Sequence, residues 1–172
     1  MPTEPLPPPP VASPEVVEIE RALARVTYLS TRARTHERLM AVAGIPLDRA
    51  AVALLRQVAD SEPQRPGELA QRLGVEASHV TRTVQQLQKA GYVTRVPDPD
   101  DRRAQRIRLT GTGRAAVGRV RDAGARGLQL ALGDWDQEDL GRLAALFHRM
   151  ADDFLSYAAD EESEPSGQAL RA

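Results

Sequence analysis

The sequence contains no cysteine, few aromatic residues and no long apolar run. The absence of cysteine excludes disulfides, thiolate metal sites and thiol-based oxidation sensing. No segment approaches the run of about 18 apolar residues that crosses a bilayer. The start of the chain also lacks the cationic and apolar regions of a secretion signal. We therefore expect a cytoplasmic protein with no membrane partner.

The composition favours helices and a nearly neutral surface. Only one Trp, three Tyr and two Phe occur among 172 residues, so the core must consist mainly of Leu, Val and Ala, which suit helices. The 23 basic and 24 acidic residues nearly cancel. Because the formal net charge of -1 gives no general attraction to polyanions, any nucleic-acid site must be local.

Both ends of the chain have the composition of tails. Residues 1–13 are rich in proline, which cannot sustain a helix, and predict a disordered tail. Residues 160–172 are polar and acidic and predict a flexible tail. The folded part is expected over about residues 14 to 159.

Apolar residues repeat at steps of three and four at both ends of this folded part. Ser13, Pro14 and Glu15 predict the start of a first helix that runs to Gly44. Two helices, each longer than about 20 residues and each with a narrow stripe, would expose those stripes in a monomer, so we predict a homodimer. Packing of both stripes inside one subunit is the alternative. The predicted dimer seam consists of Val16, Ile19, Leu23, Val26, Leu140, Leu143, Phe147, Met150, Phe154 and Tyr157.

The middle of the chain has the pattern of a helix-turn-helix. A helix is predicted from Asp48 to Asp60, and a short one over 66–73 ends at Gly74. A third helix starts near Ala77 and runs to Ala90. Two helices joined by a short turn that contains glycine are typical of a helix-turn-helix.

A two-stranded hairpin, or wing, is predicted directly after the third helix. Residues 92–96 and 104–109 alternate as strands, and residues 97–101 have turn composition. Thr110 is placed to cap a further helix over about 111–132, and the last helix begins near Trp135. The pattern is that of the winged helix-turn-helix.

Charge is divided unevenly along the chain. Residues 64–114 hold ten basic against five acidic side chains, whereas residues 134–162 hold nine acidic against two basic. A local phosphate-binding face explains this division.

The third helix carries side chains that read bases. Arg can contact guanine, Gln can contact adenine, and hydroxyls reach phosphates or bases. A solvated polar face is the alternative, but the position between a glycine turn and a basic hairpin favours DNA binding. The candidate DNA-binding residues of this recognition helix are Ser78, His79, Thr81, Arg82, Gln85, Gln86 and Lys89.

The hairpin contains Asp101, Arg103, Leu109 and Thr110 at a fixed spacing: an Asp, one residue, an Arg, five residues and Leu-Thr. This pattern resembles the wing signature of the MarR family of bacterial transcriptional regulators. The segments Leu69 to Val75, Val80 to Arg82 and Leu87 to Val93 are also similar to the family, and the resemblance covers about residues 14 to 158.

The resemblance implies a mainly α fold with a small β-hairpin wing, in which a winged helix-turn-helix DNA-binding lobe is joined to a terminal-helix dimerisation region. The segments would be an N-terminal dimerisation helix over 14–46, the lobe over 47–110 and C-terminal dimerisation helices over 111–159. It further implies a dimer whose two lobes bind double-stranded DNA at a pseudo-palindromic site. We expect repression as the default, because the sequence shows no separate segment for recruiting polymerase.

The resemblance also assigns residues to the wing. Arg103 would enter the minor groove, with Asp101 bonded to it or to the wing backbone, and Arg102 and Arg106 would lie beside it. Relatives commonly have Ser or Thr where this chain has Glu76 and His79, so the resemblance does not assign a base preference at that end of the helix.

MarR-like proteins often bind small aromatic anions or phenols in a crevice between the dimer helices and the lobe. Tyr28, Arg32 and His36 are the candidate ligand residues here. A solvated helix face is the alternative reading of the same residues.

No catalytic or metal constellation is found in the sequence. The three His residues lie on separate segments without partners at triad or metal-ligand spacing, so no enzyme activity, metal or cofactor is expected. The competing function is a winged-helix dimer that does not bind DNA and docks a protein partner through its acidic carboxyl end.

Overall fold

The computed structural model of the protein describes residues 12–61, 63–101 and 103–163, and side chains as far as residue 157. The described part consists of seven helices and one antiparallel hairpin, which confirms the predicted fold class. Most of the predicted proline-rich tail and residues 164–172 of the predicted acidic tail lie outside this description. In chain order the elements are α1 Pro14–Thr31, α2 Ala33–Ala43, α3 Arg49–Asp60, α4 Pro66–Leu73, α5 Ala77–Lys89, β1 Val93–Pro97, β2 Gln105–Leu109, α6 Gly111–Ala131 and α7 Gln137–Ser163.

The chain divides into two compact units, Met1–Gly127 and Leu128–Ala172. The first contains α1 to α5, the hairpin and most of α6, and the second contains α7. No helix in the described ranges has the length and apolar character needed to cross a membrane.

Helix ends follow the predicted capping chemistry. Ser13 accepts a hydrogen bond from the Val16 N–H, and Asp48 accepts one from the Ala51 N–H at 2.8 Å. Gly44 and Gly74 end α2 and α4 in the left-handed conformation, which costs a residue with a Cβ about 1 to 2 kcal/mol.

The prediction of one long first helix is wrong, because the helix is broken at Arg32, where the backbone is extended. The Thr31 hydroxyl donates to the carbonyls of Thr27 and Tyr28, a type of bond that bends helices. The Arg49 guanidinium, at the start of α3, donates to the carbonyl oxygen of Arg32 at 2.5 Å. The hydroxyl and guanidinium donors thus stabilise the break by bonding backbone carbonyls next to it.

The core of the lobe is apolar and packs against one face of α5. Leu54, Leu69, Val84, Leu87 and Ile107 are almost completely buried in one cluster, which joins α3, α4, α5 and the hairpin. The hairpin register pairs Val93 with Leu109 and Arg95 with Ile107. Gln64 adds a backbone bridge to Ile107, so the segment before α4 lies along β2.

A second apolar cluster joins α2, α3 and α6. It contains Met40, Ile45, Val52, Ala116 and Val120. Helix α6 is thereby attached to the lobe directly after the wing.

The predicted start of the acidic tail at Asp160 is also wrong, because α7 continues to Ser163. Ala and Glu in this stretch are strong helix formers, and their helix propensity extends α7 beyond the apolar repeat.

Candidate nucleic-acid interface

Helix α5 presents a continuous polar surface. Its opposite face is anchored in the core by Val80, Val84 and Leu87, and by Thr83, whose hydroxyl donates to the His79 carbonyl. This anchoring leaves the predicted reading residues outside the core. All seven are exposed: Ser78, His79, Thr81, Arg82, Gln85, Gln86 and Lys89.

Not all seven side chains are equally available to a partner. The Thr81 hydroxyl donates to the Ala77 carbonyl at 2.9 Å within the helix. Glu76 stands at the N-cap of α5 but makes no side-chain capping bond. A carboxylate at this end of the helix would repel a phosphate. Glu76, one of the two positions where the sequence differs from the family pattern, therefore lies at the edge of the candidate surface.

The wing tip is a tight loop that presents Arg103. The Asp101 carboxylate accepts the Arg103 N–H at 2.9 Å, and the Ala104 N–H donates to the Asp101 carbonyl. Of the two predicted roles for Asp101, the structure therefore has the bond to the wing backbone. The Arg103 side chain is exposed at the tip.

Asp98 anchors the wing, and the sequence reasoning missed it. Its carboxylate is fully buried, with side-chain exposure of 0%. It accepts bonds from the Arg65 Nε at 2.6 Å and the Arg106 Nε at 2.7 Å. The backbone N–H groups of Asp100 and Asp101 also donate to it. The network joins the start of α4, the strand β2 and the tip loop at one carboxylate.

The charge of Asp98 is strongly stabilised. Hydrogen bonds from Arg65 and then Arg106 hold the pKa of Asp98 far below its usual value of 3.8. The same bonds raise the pKa of both arginines. Asp98 thus stays ionised wherever the protein is folded near neutral pH.

The structure places Arg106 differently from a free DNA-contacting side chain. Its guanidinium donates to Asp98 and to Asp100, and only 24% of the side chain is exposed. Arg106 therefore shapes the wing. Arg102 lies outside the described residues.

A second polar contact joins the wing to α5. The Arg95 Nε, on β1, donates to the Gln88 side-chain oxygen at 3.3 Å. The hairpin is thus tied to α4 through Asp98 and to α5 through Arg95. Helix α5 and the wing, the two candidate DNA-contacting elements, are therefore linked by side-chain contacts within one lobe.

The three candidate ligand residues make different side-chain contacts. The Arg32 guanidinium lies 5.8 Å from the centre of the Tyr28 ring, a cation–π contact on an exposed surface. The half-buried His36 instead hydrogen-bonds the Leu47 carbonyl through Nε2 at 2.9 Å. His36 lines an open apolar cavity of about 450 Å³ with Met40, Ile45 and Leu47, and neither Tyr28 nor Arg32 is among its lining residues.

The described residues contain no group of three or more His, Asp or Glu side chains that could hold a metal ion. His148 and Asp152 both lie on α7, one helical turn apart.

Protonation of Asp98 at low pH should lower the stability of the folded protein. Because the folded-state pKa lies below the unfolded value of 3.8, ionised Asp98 stabilises the fold above that pH and loses this effect as the pH falls further. We expect Asp98→Asn to unfold at lower urea concentration than the unchanged protein, by a constant margin between about pH 5 and 8. The margin should shrink below pH 3.8. Urea titrations across this range measure it.

The matched control is Asp100→Asn, which removes the same charge from a side chain that is 80% exposed. It should leave the unfolding midpoint nearly unchanged, since exposed ion pairs contribute about 0 to 1 kcal/mol. A margin for Asp98→Asn that does not depend on pH would contradict the role given to the Asp98 charge.

The fold and this surface define a winged helix-turn-helix protein. Residues 47–104 match the model of the MarR family. This matched segment lies within the part of the chain in which the sequence resembles the MarR family.

Two curated relatives are similar over part of the chain. The uncharacterized HTH-type transcriptional regulator YcgE of Bacillus subtilis (strain 168) is 46% identical over 44 residues, which are 26% of this chain and 29% of that protein. The HTH-type transcriptional regulator PrsX of Escherichia coli is 37% identical over 62 residues, or 36% of this chain and 37% of that protein. The matches thus span less than two fifths of either relative.

Solved structures match over most of their length. The transcriptional regulator Tm0710 from Thermotoga maritima is 25% identical with a TM-score of 0.63, covering 83% of this chain and 98% of that one. A MarR family protein from Bacillus stearothermophilus is 19% identical with a TM-score of 0.70, covering 84% and 99%. At the latter identity the likeness is one of fold.

Proposed function

We propose that this protein is a sequence-specific, dimeric DNA-binding transcriptional regulator of MarR type. The observation that carries the proposal is the pairing, in one connected lobe, of the exposed polar face of α5 with an arginine-tipped wing. A helix in the major groove and an arginine in the neighbouring minor groove are the two contacts such a lobe can make. On this proposal Arg82, Gln85 and Gln86 contact bases, and Arg103 enters the minor groove.

A homodimer is the assembly that the terminal helices favour. Helix α1 has no buried residue, and Val16, Ile19 and Val26 are 54%, 50% and 54% exposed. On α7, described separately, Phe147 and Phe154 are 47% and 59% exposed. Apolar faces of this size on a soluble chain mark protein interaction surfaces. A second copy would cover both and would place two lobes on one duplex, about 34 to 36 Å apart.

Repression of transcription and release by a ligand complete the proposal. A dimer bound to a pseudo-palindromic operator would block access of the transcription apparatus by occupancy alone, so repression is the simplest outcome of the proposed DNA binding. A small aromatic or phenolic ligand is proposed from the family resemblance, with Tyr28, Arg32 and His36 as candidates. The His36 Nε2 already bonds the Leu47 carbonyl at 2.9 Å, so a ligand that bonds this nitrogen would have to displace that contact.

The test is to select duplexes from a random pool with the purified protein and to measure their affinity for variants. Arg82→Ala and Arg103→Ala should each lower affinity, because loss of one good base contact costs about 1 to 3 kcal/mol. That is a loss of roughly 5-fold to 150-fold. Titration by fluorescence anisotropy at fixed salt measures the loss, and light scattering verifies that each variant keeps its oligomeric state.

Arg119→Ala on α6 removes one exposed arginine away from both elements and serves as the control. It should bind the selected duplex within about 2-fold of the unchanged protein. Equal losses for all three variants would reduce the effect to net charge and remove Arg82 and Arg103 from the proposed surface.

The alternative function, a dimer that docks a protein partner without DNA, makes a different prediction. Such a protein would retain no duplex sequence preferentially, at low or high salt. A DNA regulator should instead enrich one sequence and lose affinity steeply as salt rises.

A further inference from the structure

A cationic cleft lies between the wing and the start of α4, apart from the face of α5. It has a volume of about 360 Å³ and is lined by Arg65, Pro66, Arg95, Arg103, Ala104 and Gln105. Three guanidinium-bearing side chains line it, and no carboxylate is among the lining residues. None of the residues predicted from α5 contributes to it.

Strand alternation explains why these side chains meet. Arg95 pairs with Ile107 across the hairpin, and Gln105 lies two residues before Ile107 on the same face. Ile107 is fully buried against the core. The face that packs on the core near the hairpin base therefore continues outward as the wall of the cleft.

Arg65 occupies the opposite wall. It stands at the N-cap of α4, where Ser, Thr, Asp or Asn is usual, and it makes no side-chain capping bond. Instead its Nε donates to the buried Asp98, which fixes the guanidinium beside the wing. Its side chain remains 39% exposed, so part of this preorganised fork faces the cleft.

We propose that this cleft binds one phosphate group, with Arg65 as a phosphate-contacting residue. Guanidinium groups bind phosphate oxygens through paired N–H donors, and three of them line the cleft, whereas the Asp98 carboxylate that bonds the Arg65 Nε is buried and is not among the lining residues. Arg103 at the tip is shared between the cleft and the minor-groove contact. The inference rests on the proposed function in taking the phosphate from a DNA backbone, and free phosphate is the other source of the same chemistry.

The first arm of the test measures duplex affinity against salt. Arg65→Gln should weaken binding about equally for all duplex sequences and reduce the salt slope by about 0.9, the value for one lost phosphate contact. Gln105→Glu should also weaken binding, because it places a carboxylate in the cleft while leaving the bonds of Asp98 untouched. Circular dichroism verifies that both variants fold.

The matched control is Arg108→Gln. Arg108 is exposed and lies on β2, the strand that carries Gln105. It pairs with Thr94, so its side chain projects from the face of the hairpin opposite to Gln105. The substitution removes the same charge as Arg65→Gln. If Arg108→Gln lowers the slope equally, the effect is general electrostatics and the proposal is overturned.

The second arm titrates inorganic phosphate into the protein without DNA and follows the arginine Nε–H signals by NMR. Saturable shifts of Arg65 that Gln105→Glu abolishes would assign the cleft to free phosphate, even if the salt slopes are unchanged. Unchanged slopes together with no phosphate binding would overturn the proposal while leaving sequence-specific binding, and so the proposed function, intact. If the unchanged protein retained no duplex, the proposed function would be disproved. The phosphate titration would still show whether the cleft binds phosphate.

Discussion

Replacing Gly113 with alanine is expected to destabilise the folded protein by about 2 to 3 kcal/mol, a typical cost of overpacking a buried site. A Cβ built on Gly113 lies 2.0 Å from the Tyr92 carbonyl oxygen, far inside contact distance. The clash is with backbone, so no side-chain rotation relieves it. The sign is opposite to the usual one, since alanine is normally the better residue in a helix by about 1 kcal/mol. Urea unfolding followed by circular dichroism measures the change.

Gly113 lies next to the hydrogen bonds that join the base of the wing to α6. The Tyr92 carbonyl accepts the Thr110 N–H, and the Thr110 hydroxyl donates to the Gly91 carbonyl at 2.6 Å while accepting the Gly113 N–H. These bonds close the base of the wing onto the start of α6. Displacing the Tyr92 carbonyl should therefore also lower DNA affinity, through a misplaced wing.

The same helix offers the control. Gly118→Ala on α6 places a Cβ with nothing within 4 Å of it. This variant should be more stable by up to about 1 kcal/mol. If Gly113→Ala matched Gly118→Ala in sign, the close approach of α6 to the wing base would be disproved.

Local signals in the sequence predicted most of the lobe. Gly74 could be assigned to a helix end because glycine is the usual residue in the left-handed position after a helix, and this fixed the turn and the start of the third helix. The alternation after Gly91 predicted the hairpin with a displacement of one residue in β1, which runs to Pro97. Thr110 was predicted as a cap and accepts the expected N–H bond.

Features that depend on distant parts of the chain were not predictable in this way. The break at Arg32 is stabilised by Arg49, which is 17 residues further along, and the apolar repeat passes through it without a breaker residue. In the sequence, Asp98 was interpreted only as one residue of the turn over 97–101. Its partner Arg65 is 33 residues away, so only the folded lobe brings them together. Arg106 had the appearance of one more basic wing residue for the same reason.

The largest expected effect on assembly comes from Phe147→Ala in the predicted seam. Burying one Phe side chain is worth about 1.5 to 3 kcal/mol, and a symmetric dimer loses two copies, or about 3 to 6 kcal/mol. The dimer dissociation constant should rise by about 10²-fold to 10⁴-fold. Analytical ultracentrifugation over a dilution series measures it.

Arg149→Ala is the control on the same helix, because Arg149 is exposed and lies off the apolar stripe. Arg149→Ala should leave the dissociation constant of the dimer unchanged. If Phe147→Ala and Arg149→Ala gave the same dissociation constant, the apolar stripe of α7 would not be the dimer seam.

DNA binding supplies an independent check on the same variant. Phe147→Ala leaves each lobe intact, so its affinity for an isolated half-site should equal that of the unchanged protein. Its affinity for the full pseudo-palindrome should fall, because the second lobe no longer binds as part of the same molecule. A loss at the half-site as well would mean that Phe147 acts on the lobe itself and not through dimerisation.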